Sequence, residues 1–157
     1  MTTSQWLLMF HVTGAFLFIG GSVAAAVLYV LAIRAERPSE TALLLRTVRW
    51  TIPLIGLGVL LTLVLGLWLV DVDGYRYGSF WVIAAIVLWL IANALGGRGG
   101  RQQQKARELA ERLAAEGDTS TDELRALLRD PKGNAMSWLA GLAALLILVD
   151  MFWKPGA

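Results

Sequence analysis

The stretch Gln5-Trp-Leu-Leu-Met-Phe-His11-Val-Thr-Gly14-Ala-Phe-Leu-Phe18-Ile-Gly-Gly21-Ser-Val-Ala-Ala-Ala-Val-Leu-Tyr29-Val-Leu-Ala-Ile33 contains no Asp, Glu, Lys or Arg. A helix crossing the hydrocarbon core needs about 20 mostly apolar residues, and this run exceeds that length. It lacks a positively charged leader and is far longer than the roughly 7–15 residues of a signal-peptide core, so it reads as a retained span. Three further stretches qualify, at about 50–70, 80–97 and 135–153. Of the 157 residues 57% are hydrophobic and 17% charged, where a soluble domain carries about 25% charge. The sequence therefore predicts a single all-α integral membrane domain over 1–157. Its architecture is an antiparallel bundle of four transmembrane helices, with a short cytoplasmic helical hairpin in the loop 98–134.

The basic residues set the expected orientation. Of the 14 Lys and Arg, four (Arg34, Arg37, Arg46, Arg49) lie between spans one and two, and eight lie between Arg98 and Lys132. Basic loops stay inside, so both the N-terminus and the C-terminus are expected outside. Nine of the twelve acidic residues share these loops. A mixed-sign surface makes a poor phosphate track, so no nucleic-acid partner is expected despite the basic pI. Arg46 and Arg49, below Trp50, are expected among membrane lipid headgroups. Trp6, Trp68, Tyr75, Tyr77, Trp81 and Trp153 fall near the outer boundary and Trp50 and Trp138 near the inner one, as an aromatic belt.

Between the spans the punctuation is local. Ser39 is the expected N-cap of the second helix, and Pro53 can kink it. Gly96-Gly97-Arg98-Gly99-Gly100 reads as a hinge after the third span, not a phosphate cradle, because no strand precedes it. Ala106, Leu109, Ala110 and Leu113 repeat at helical spacing with a Glu108–Arg112 pair. Gly117 stops that helix, and Ser120-Thr-Asp-Glu123 resembles a capping box for a short helix ending before Pro131. Such a hairpin packs on itself, lies on the inner leaflet, or docks a soluble partner.

Ionisable groups at membrane depth are costly and usually face the bundle interior or water. His11, the single histidine, and Asp150 both fall in the outer half of the membrane, each on an inward stripe of small residues. Gly14 and Gly21 share the His11 face, and small residues on a transmembrane face allow close helix approach. The two polar residues are expected to form one site, directly or through a water. Three readings of His11 stay open: a structural hydrogen bond, a haem or metal ligand, and a proton relay. One histidine cannot make a bis-histidine haem site or a multi-histidine metal site in a monomer. Asn93, near the inner end of span three, reads as helix packing. Gly58, Thr62 and Gly66 make a small-residue stripe along span two, for another span or for a second copy in a homodimer. The chain holds no cysteine, and no nucleophile–base pair, phosphate loop or zinc motif stands out.

The run from His11 through Gly14 and Phe18 to Gly21 resembles a loose group of bacterial membrane proteins. The group includes a family of predicted four-span integral membrane proteins without assigned function and, more distantly, the CopD-like and HemJ-like proteins. Likeness to the HemJ-like enzymes implies haem held through His11. This chain departs from their pattern: Phe18 stands where a tryptophan is common, and no span carries their lysine. The combined expectation is a non-enzymatic structural or complex-associated subunit of the bacterial plasma membrane. The alternative is a haem- or metal-binding redox or transport protein acting through His11. Expected partners are membrane lipids and a cytoplasmic or membrane protein.

Overall fold

The computed structural model describes residues 2–155, and among them every regular element is a helix. The order is α1 (Thr3–Arg34), α2 (Pro38–Val72), α3 (Phe80–Ala115), α4 (Asp122–Leu128) and α5 (Pro131–Trp153). Four helices, α1, α2, α3 and the closing α5, are long and apolar enough to cross a membrane.

Helix boundaries follow from local chemistry. Thr2 caps α1 by accepting from the Gln5 N–H, and the Gln5 side chain returns the bond to the Thr2 N–H. The break between α1 and α2 comes from Pro38, whose ring forces Arg37 out of helical geometry and then fits the first helical position. The α2–α3 turn closes on Gly74 at φ 72°, a conformation that glycine takes without steric cost. Asp130 caps α5 by accepting from the Gly133 N–H at 2.9 Å.

Several local expectations are corrected. The residue preceding α2 is Arg37, not Ser39, and it lends no side-chain cap. Ser39 instead donates its backbone N–H and its hydroxyl to the two carboxylate oxygens of Asp118, each at 2.7 Å. Asp118, in the α3–α4 turn, thus caps α2 from a distance. The Ser39 hydroxyl, then its N–H, and then the nearby Arg37 charge hold the Asp118 carboxyl below the ordinary aspartate range. Thr121, not Ser120, caps α4. Glu108 accepts from Gln104 at 2.8 Å, and the helical ion pair is Arg107–Glu111 at 3.7 Å.

The largest correction is at Gly96–Gly100, where α3 runs on without a break. A Cβ on Gly99 would come 2.5 Å from Ser137 Oγ, and one on Gly133 would strike the Gln102 side chain. These glycines let α5 lie against α3 and do not hinge the chain.

The helices pack as two antiparallel pairs, α1 with α2 and α3 with α5, joined along α2 and α3. Beyond the spans, the ends of α1, α2 and α3 close with α4 into a head. Its core includes Tyr29, Leu45, Ala106, Leu109, Leu124 and Leu128. The Tyr29 hydroxyl donates to the Leu128 carbonyl at 3.0 Å, and the Gln102 amide donates to that of Leu127 at 2.8 Å. A smaller core of Val70, Trp81 and Val82 sits at the opposite end, by the α2–α3 turn. Between the two, Phe16, Leu60, Val87 and Leu145 are among many exposed apolar side chains, as a lipid-facing surface requires.

Candidate functional site

The seam between α1 and α2 is built from missing side chains. A Cβ on Gly14 would come 2.7 Å from Leu61 Cβ and 3.0 Å from the Thr62 nitrogen. One on Gly21 would come 2.8 Å from Ile55, and one on Gly58 would strike the backbone of Phe18 and the Gly14 carbonyl. The Thr62 hydroxyl, which faces Gly14, satisfies itself on the Gly58 carbonyl at 2.6 Å. The Gly58–Thr62–Gly66 stripe therefore faces α1 of the same chain. A second copy could not use it without displacing α1.

His11 sits toward the end of this seam away from the head. Its ring occupies the space that a side chain on Gly66 would fill, since a Cβ there would lie 2.8 Å from Cε1 and 3.1 Å from Nδ1. Nδ1 is buried without a well-formed hydrogen bond, the ring approaching the Thr62 backbone. Farther out, Ser4 Oγ donates to Asp73 Oδ1 at 2.6 Å, tying the start of α1 to the α2–α3 turn.

Asp150 stands on the other helix pair. It is half-buried on α5, with Oδ2 buried and unpartnered. No hydrogen bond or ion pair joins it to His11 among the described residues. The structure thus brings His11 together with Gly66, and Gly14, Gly21 and Gly58 together along one seam, and it shows no direct bond between His11 and Asp150. Similar depth and inward facing do not place two residues in the same helix pair. The Asn93 amide donates to the Trp89 carbonyl one turn back, at 2.8 Å.

Near Asp150 lies a cluster that sequence reasoning misses. Lys154 ends α5 in left-handed geometry at φ 42° and donates to the Tyr75 hydroxyl at 3.2 Å. Its ammonium lies 4.6 Å from the Tyr75 ring centre and 5.5 Å from that of Trp81, within the reach of cation–π attraction. Trp81 is 4% exposed, so it belongs to the core and not to the belt. The signal available in sequence was its place one residue inside α3, where an interfacial tryptophan and a core tryptophan look alike.

The fit of a haem or metal to Nδ1 of His11 is poor. The ring is seated against α2 where only glycine leaves room, and Nδ1 faces this closed seam. Among the described residues no group of three or more His, Cys, Asp and Glu is arranged to hold a metal ion. A haem on Nδ1 would have to part α1 from α2.

Comparison with known families places this architecture. A model of the family described as predicted integral membrane protein (DUF2269) matches residues 5–155. The chain belongs to this family. The match runs through all four spans and the head, so the DUF2269 fold includes the head as well as the membrane helices. No curated protein and no solved structure matches the chain.

Proposed function

We propose that this DUF2269 protein is a non-enzymatic subunit of the bacterial plasma membrane, whose spans anchor a helical head for assembly with a protein partner. The observation that supports this most is the head itself. Its core joins the ends of α1, α2 and α3 with α4, so the surface it presents is held rigidly to the spans. Twelve of the fourteen basic residues lie at the head's end, which favours a cytoplasmic head with both termini outside.

The test is photo-crosslinking in cells from exposed head positions such as Arg101, Glu108 and Ala126, with Val12 and Leu60 in the spans as references. One discrete protein adduct is expected from neighbouring head positions, abolished by a charge reversal beside them, with lipid adducts alone from the spans. Absence of any protein adduct from the head, in a chain that still folds, overturns the reading.

A second reading has one observation in its favour, that the His11 imidazole is only partly buried although its Nδ1 faces the seam. It would make His11 a haem ligand, as the likeness to HemJ-like proteins implies. The visible spectrum of the purified protein decides between them. The subunit reading expects no Soret band; a band that disappears in His11→Ala would replace it.

A further inference from the structure

The head carries a cleft of about 560 Å³ between the end of α1 and α4. Small-molecule sites range over roughly 300–1,000 Å³. Apolar side chains of Ile33, Leu124 and Leu128 contribute to its wall, and Arg34, Arg125 and Arg129 line it against a single carboxylate, Glu36. Arg125 also faces Asp122 at 3.5 Å, but both side chains are mostly exposed, and such a pair holds its partners weakly. The two ion pairs among the described residues, Arg107–Glu111 and Arg125–Asp122, leave Arg34 and Arg129 uncommitted.

Counting the Asp122 that Arg125 faces, three guanidinium groups stand against two carboxylates, and the net positive charge rests on Arg34 and Arg129, which suits an anion such as a phosphate. Arginine is suited to this because its planar fork donates two parallel N–H bonds to a pair of phosphate oxygens. We propose that the cleft binds a phosphate monoester, its phosphate held by Arg34 and Arg129 and its organic body laid against the half-buried Ile33.

Depth separates the two sources of such a group, a lipid headgroup and a soluble ester. The seam fixes the register of α1 on α2: Ser4 meets Asp73, His11 meets Gly66, and Gly21 meets Ile55. Carried onward, that register sets Ala26 opposite Trp50, which is 79% exposed and of the residue type enriched at membrane interfaces. Arg34 lies eight residues beyond Ala26, or about 12 Å at 1.5 Å per residue. The headgroup layer on each side is only about 5–8 Å deep. The cleft therefore opens beyond the headgroups, and the ligand it fits is a soluble ester.

The experiment titrates the full chain, in nanodiscs of zwitterionic lipid, with monobutyl phosphate and with inorganic phosphate. Saturable binding of monobutyl phosphate is expected, tighter than that of inorganic phosphate. It should weaken about ten-fold or more in the Arg34→Gln, Arg129→Gln double variant and stay unchanged in Arg76→Gln at the opposite end. The lysine pair Arg34→Lys, Arg129→Lys keeps the charge without the fork and should fall between. Hydrogen exchange over α4 verifies that each variant keeps its head. Absence of saturable binding, or equal binding by the glutamine pair, overturns the proposal. Displacement of the probe by phosphatidic acid placed in the nanodisc would assign the site to a lipid headgroup and overturn the soluble ester.

Discussion

The head and the α1–α2 seam are both packed, by opposite means. In the head, large side chains interlock: Leu45, Leu109, Leu124, Leu128 and Tyr29 are buried against one another. Water supplies the drive there, since each leucine leaves an aqueous surface on folding. In the seam the decisive residues are Gly14, Gly21, Gly58 and Gly66, which contribute no side chain. Lipid tails are as apolar as leucine, so burying leucine between spans gains nothing over leaving it in lipid. What remains is dispersion between closely approached backbones, and that needs small residues. One chain therefore carries two packing codes, divided at the level of Trp50.

That division can be broken in order of expected effect. Leu124, 2% exposed, should be the most sensitive position, with Leu124→Ala costing about 2–5 kcal/mol of head stability. Hydrogen exchange should accelerate over α4 and the ends of α2 and α3 while the seam stays protected. Equal acceleration in both regions would mean that they unfold as one unit. Gly58→Ala tests the other code, since its Cβ meets the Phe18 backbone and not a flexible side chain. A loss of about 1–3 kcal/mol is expected in detergent unfolding. Gly56→Ala, with open space around it, should be close to neutral.

Acid sharpens the contrast, because the head has an ionic clasp at Asp118. The folded state holds this carboxyl below its ordinary value of 3.8, so the charged form is favoured by folding. The clasp contributes fully above that ordinary value and is lost as pH falls through the depressed folded value. Exchange at the start of α2 should therefore rise in strong acid, and Asp118→Asn should remove that dependence. The smallest effect concerns His11 and Asp150. Because they stand on different helix pairs, the melting shifts of His11→Ala and Asp150→Ala should add, with a residual coupling under about 0.5 kcal/mol. A larger coupling would bring the two pairs together around a shared polar site.

The spans were legible because Gln5–Ile33 and its three counterparts have no other stable setting than lipid. Periodicity also showed the faces carrying His11, Gly14 and Gly21, and the Gly58–Thr62–Gly66 stripe. It could not show which face meets which, because a helical repeat encodes a direction from one axis and no neighbour. That is why Asp150 looked like a partner for His11 when Gly66 receives the ring. The run Gly96–Gly100 misled for a related reason. Glycine weakens a helix locally, and the compensating approach of Ser137 on α5 to Gly99 lies outside any local window. The apolar end of α1 misled by excess, since Tyr29 and Ala32 are apolar for the sake of the head and not the bilayer.

The clasp of Asp118 on Ser39 spans 79 positions of the chain. The first turn of α2 has no side-chain cap of its own, so during synthesis it stays open while the rest of α2 and all of α3 are made. Insertion of the first helical pair therefore precedes closure of the head, and closure reports that the third span has arrived. A chain stalled before α3 would leave Leu45 and Ala42 without the Ala106, Leu109 and Ala110 that pack with them in the head.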